Sequence, residues 1–153
     1  MRRLLIGLLV LVAAAVVVGG GLLALQSRDD AEVGGAPAGP GRAVGDRCPA
    51  HAALVTRDRR RLSRAQVQTA LAQGNVVVLY PGAAPSAALR RLQDDLAGPF
   101  DAEVAAAGQA VILAPGPATA GRAWGRRIDA EGAPLREFAE AWLGKGAPKP
   151  CPS

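Results

Sequence analysis

One histidine and two cysteines are the only residues of the types that usually hold zinc or act as soft nucleophiles in this chain. Cys48 and His51 stand in Cys-Pro-Ala-His order, a spacing that could place a thiolate and an imidazole on one metal or pair them as nucleophile and base. Structural zinc takes four protein ligands and catalytic zinc three, and the chain offers one His and two Cys in all. Outside the cytoplasm an even pair of cysteines that brackets a whole domain reads instead as a disulfide, here Cys48 to Cys151. His51 has no nearby carboxylate and nucleophile to make it a general base. The carboxylates Asp94, Asp95, Asp101 and Glu103 read as solvated helix charges. The Pro81-Gly82 turn has no glycine-rich phosphate fingerprint.

Charge is concentrated in one place. Arg57-Asp58-Arg59-Arg60-Arg61-Leu62-Ser63-Arg64 carries five arginines against one aspartate. Such a run is either a solvated lead-in to a helix or a contact for anionic headgroups or an anionic envelope polymer, each basic residue adding about 1 kcal/mol near a charged surface. Arg57, Arg59, Arg60, Arg61 and Arg64 are therefore the candidate anionic-surface contacts. No aromatic residue interleaves, so base stacking is not offered. The net charge of +5 falls to +3 when Arg2 and Arg3 are set aside, too small a surplus to indicate a nucleic-acid binder. Arg122, Trp124 and Arg126 alternate and share one face of the strand expected from about Arg122 to Ile128, as a candidate partner contact.

These residues need a scaffold, and its location is written near the start. Leu4 to Leu25 is 22 residues long without a charged or strongly polar side chain, enough to cross a hydrocarbon core of about 30 Å. Arg2 and Arg3 precede it, while Asp29, Asp30 and Glu32 follow, which by the positive-inside rule puts residues 1–3 in the cytoplasm and the rest outside. The competing reading is a signal peptide cleaved after Ala13-Ala14-Ala15; against it, the apolar run continues well past Ala15. Residues 26–47 are rich in Gly, Pro and Ala and read as a flexible linker. Residues 48–153 remain for one extracytoplasmic domain.

That domain reads as α/β (α+β): a small three-stranded sheet with flanking helices in the order α-β-α-β-β-α, behind the N-terminal transmembrane helix. Ser63 and Gln66 form a capping box at the first helix. The apolar runs Val76–Tyr80 and Ala110–Ala114 have the length and β-branching of buried strands, which a helix between them would make parallel. Leu89, Leu92 and Leu96 line a helix from about Ser86 to Ala97, and Leu135, Phe138, Ala139 and Trp142 line the last one. A single third strand is expected from about Arg122 to Ile128. Only five aromatic residues are present, so the core is thin and benefits from a covalent staple.

Ala70-Leu71-Ala72-Gln73-Gly74 running into Val76–Tyr80, then Val111–Pro115, then Ala123-Trp124-Gly125, and a closing Gly146–Cys151 segment together resemble a bacterial family of membrane-anchored proteins, domain of unknown function 3105. The resemblance covers about residues 48–151. It implies an anchored extracytoplasmic domain and brings no known activity. The family's His-x-Leu-Glu-His-Gly segment, a plausible metal or acid/base site, is replaced here by Thr69, Ala72 and Gln73 at its His, Glu and His positions.

The sequence thus leads to a non-enzymatic, membrane-tethered interaction or structural module of the bacterial envelope. The expected setting is the cytoplasmic membrane, with the bilayer holding residues 4–25. No cofactor, bound metal or nucleic-acid partner is expected. The alternative is a redox or metal-dependent envelope enzyme. A thioredoxin-type Cys-x-x-Cys is missing from the turn Pro81–Pro85, where that chemistry would place it.

Overall fold

A computed structural model of the chain describes residues 39–149 and 151. The expected span Leu4–Leu25 and most of the expected linker lie outside the described residues; among the described residues no helix is long and apolar enough to cross a membrane. In chain order the elements are β1 (Arg42–Ala43), α1 (Arg64–Gln73), β2 (Val76–Tyr80), α2 (Ala87–Ala97), α3 (Ala102–Ala106), β3 (Val111–Pro115), β4 (Ala120–Ala123), β5 (Arg126–Ile128) and α4 (Gly132–Trp142). The strands form one sheet in the order β1-β5-β4-β2-β3.

The three-stranded sheet expected from sequence is therefore wrong: the sheet has five strands and is mixed. β2 and β3 pair in parallel, whereas β4 pairs antiparallel with both β2 and β5, and β5 with β1. The single strand expected over Arg122–Ile128 is a hairpin. Ala123 faces Arg126 across a two-residue turn of Trp124 and Gly125, and Gly125 sits at φ +67. A positive φ at the second central position is the mark of a type II turn and favours glycine there.

The second extra strand comes from the linker. Composition made Gly39-Pro40-Gly41 look like tether, but these residues lie against the last helix. A Cβ on Gly39 would stand 2.6 Å from the Trp142 ring, and one on Gly41 2.7 Å from the Phe138 ring. Only glycine lets the backbone come that close. Trp142 Nε1 donates to the Pro40 carbonyl at 2.8 Å, so the buried indole is satisfied and the segment is fixed. Farther along, the Asp46 carboxylate, 3% exposed, accepts from Arg122 at 3.0 Å and from the Gly125 amide at 2.9 Å, tying the segment to the hairpin turn. Within the stretch read from sequence as linker, Gly39 to Asp46 thus pack on the last helix and the hairpin.

Side chains alternate along β2 and β3 and feed two cores. Val76, Val78, Tyr80, Val111 and Leu113 meet α2 and α4, with Leu89, Leu92, Phe138 and Trp142. Val77, Ile112 and Ala114 meet α1 and the segment before it, with Leu71 and Val55. The buried amide of Asn75 joins the layers: it donates to Ala70 and Ala105 carbonyls and accepts from the Ala110 amide, at 2.8–3.1 Å. The capping box at Ser63 and Gln66 is formed.

Cys48 and Cys151 are joined, with Cα atoms 5.4 Å apart across 103 residues of sequence. In the chain-entropy model a loop of that size is worth up to about 4.7 kcal/mol, comparable with the roughly 5–15 kcal/mol of a whole domain. Reduction and alkylation should therefore lower the melting temperature appreciably in calorimetry. An unchanged melting temperature would show that the ends are held by the surrounding contacts instead.

Candidate functional site

The residues before α1 run from the disulfide along that helix and then around the outer edge of the sheet. The Ala53 amide donates to Thr69 Oγ1 at 3.1 Å, and Gln66 Nε2 reaches the Leu54 carbonyl at 3.5 Å. Val55 is buried in the core under α1. Beyond it the chain reaches β3, which is an end strand of the sheet and would otherwise leave a row of amides and carbonyls unpaired.

Asp58 and Arg59 occupy that edge. Asp58 Oδ1 accepts from the Leu113 amide at 2.8 Å, and the Arg59 amide donates back to the Leu113 carbonyl at 2.8 Å. Asp58 Oδ2 accepts from Gln93 Nε2 at 2.9 Å, and the same Gln93 amide donates to the Val111 carbonyl at 2.8 Å. One carboxylate thus stands in for a neighbouring strand and fastens α2 to it. Its side chain is 9% exposed. Arg59 adopts φ +58, a left-handed conformation costing a non-glycine residue roughly 1–2 kcal/mol. Charge-assisted hydrogen bonds, at about 1.5–3 kcal/mol each, outweigh that.

The electrostatic result is asymmetric. The acid of the run is turned inward, and Arg57, Arg59, Arg60, Arg61 and Arg64 are all exposed. Arg59 keeps its Nε 3.3 Å from Asp58 Oδ2, which leaves the rest of the guanidinium facing water. Tyr80, 1% exposed, senses this knot. Burial first and the Asp58 charge second push its phenol above the ordinary value of 10.0, and Arg59 pulls it back in part. Its hydroxyl is buried with no hydrogen-bond partner.

The other sequence candidates fall elsewhere. Arg122, Trp124 and Arg126 do not share a face, because the turn divides them. Arg122 pairs with Asp46, Trp124 packs on the α1-side core, and Arg126 lies buried 5.1 Å from the centre of the Trp142 ring. Cys48 is in the disulfide and His51 is exposed. Thr69, Ala72 and Gln73 line one cleft of about 370 Å³ with Cys151, and none of the described residues lining it titrates. Among the described residues no three His, Cys, Asp or Glu side chains stand close enough to hold a metal. Asp101 caps α3, accepting from the Glu103 and Val104 amides, and Asp95 pairs with Arg136. At the Pro81 turn, Ser86 caps α2 and accepts from Leu89, while Glu131 stands on the rim of the neighbouring cavity, a poor setting for an anion.

Sequence reasoning counted Asp58 as one charge among six and passed over Gln93. The signal that could have found Asp58 is its position, a lone acid inside a basic run. No family model matches the chain, and neither a curated protein nor a solved structure matches it.

Tyr80 is the chain's only tyrosine, so absorbance at 295 nm titrates it alone. A raised folded-state pKa means that the stability it reports is present below about pH 10 and is lost as pH rises through the folded value. The phenolate of the folded protein should therefore appear with a midpoint above the ordinary value of 10.0. A reversible midpoint at the ordinary value in folded protein would contradict the burial of this group.

Proposed function

We propose that this chain is a membrane-tethered, extracytoplasmic interaction module of the bacterial envelope, a divergent relative of the domain of unknown function 3105 family. It works by presenting its arginine loop to an anionic surface, not by catalysis. The observation that carries this reading is the inward turn of Asp58. The one acid of the run is spent on the β3 edge, which leaves five arginines projecting from a fixed loop. Preorganisation of this kind lowers the entropy cost of binding. The uninterrupted apolar stretch Leu4–Leu25 and its flanking charges support the membrane setting.

Binding of residues 39–153 to isolated envelope fractions tests the proposal. Replacing Arg59, Arg60 and Arg61 together by Ser removes three charges and should weaken binding about tenfold or more at low salt. Wild-type binding should fall steeply as salt rises. Equal binding by the variant, or binding indifferent to salt, would refute it.

A further inference from the structure

Beside the arginine loop stands a residue of the opposite character. Among the described residues Leu54 is the one large apolar side chain that is exposed, at 52%. Its carbonyl accepts from Gln66, in the first turn of α1, and that turn opens with Arg64. Three residues after Leu54 the arginine run begins, and the run returns through Arg61 to the same helix start. The fold therefore fastens the backbone of the exposed leucine to the helix start at which the arginine run ends. A lone exposed leucine on a globular surface needs no explanation. Its place in the same anchored segment as five exposed arginines, with the intervening acid turned inward, gives the pair its meaning.

We infer that Leu54 and the arginine loop form one docking surface for a bilayer containing anionic phospholipid, with the arginines at the headgroups and Leu54 at the acyl boundary. This rests on the proposed anionic-surface reading and narrows it to lipid. A highly charged polymer offers the arginines partners but leaves an apolar side chain in water. The boundary between headgroups and acyl chains takes both. Charge complementarity is local: Asp58, the run's acid, faces the β3 edge and Gln93.

The geometry of the chain permits this contact. Gly39 enters the domain beside β1, and the arginine loop covers β3 at the far edge of the sheet. Four strand spacings of about 4.8 Å put these edges about 19 Å apart. Residues 26–38 separate the apolar stretch from Gly39, and thirteen residues reach up to about 43 Å when extended. Thirteen residues are thus longer, when extended, than the width of the sheet.

The test uses the full chain in nanodiscs of phosphatidylcholine, with or without phosphatidylglycerol, and follows backbone hydrogen exchange over residues 53–64. Exchange should slow in the anionic discs. The protection should disappear in 1 M salt, where the Debye length is about 3 Å. Leu54→Asn, an exchange at an exposed position, should reduce it about fivefold, and Arg59→Ser with Arg60→Ser and Arg61→Ser should abolish it. The lipid assignment is overturned if anionic and neutral discs give the same exchange, or if Leu54→Asn leaves protection unchanged. Protection that appears in neutral discs only on adding linear polyphosphate, with dependence on the arginines but not on Leu54, would overturn it while leaving the broader anionic-surface reading standing. Loss of both responses in folded protein would remove both.

Discussion

The outer edge of β3 has to be closed, and the display of the arginine run follows from how this chain closes it. A bare edge strand exposes backbone groups that would pair with another chain. Here the Asp58 carboxylate takes the Leu113 amide, Arg59 returns a bond to the Leu113 carbonyl, and Gln93 takes the Val111 carbonyl. Because both oxygens of Asp58 point inward, the arginines on either side of it project outward. Sealing the sheet and displaying the charge are one structural event. The left-handed backbone at Arg59 is what allows the chain to touch β3 and leave again within a few residues.

The opposite edge is closed by different means. β1 is only two residues long and is held through Trp142, whose indole nitrogen is satisfied by Pro40 and whose ring is flanked by Arg126 and Lys145 at 5.1 and 5.3 Å. The disulfide then ties the following segment to the chain's end. The Gly144 and Ala147 amides donate to the Gly74 and Ala72 carbonyls, at 2.9 and 2.8 Å, and lay that end along the close of α1. A thin, alanine-rich core is thus clamped at both sheet edges by polar contacts, and one covalent bond closes the chain beside α1.

How much of this could be read beforehand depended on the range of the interaction. The capped start at Ser63 and the apolar runs of β2 and β3 are local patterns, so they were legible. The hairpin was not, because its strands are three and four residues long and Trp124-Gly125 sat inside what looked like strand alternation. β1 was hidden by glycine and proline, chosen here for close approach to Phe138 and Trp142 and not for flexibility. The arginine run was visible as charge. Its fixed geometry was not, since Asp58 finds Leu113 at a separation of 55 residues and Gln93 at 35. Asn75, which reaches Ala105 and Ala110, was missed for the same reason.

Preorganisation by Asp58 and simple accumulation of charge make opposite forecasts for one substitution. Asp58→Ala raises the net charge by one and also frees the loop from β3. The affinity of this variant for anionic vesicles, measured at low salt beside the wild-type domain with folding confirmed by near-ultraviolet circular dichroism, separates the two. If the arginines act as a fixed array, binding should weaken despite the added positive charge. Binding that is equal or tighter would contradict the account and reduce the loop to an unstructured patch of charge.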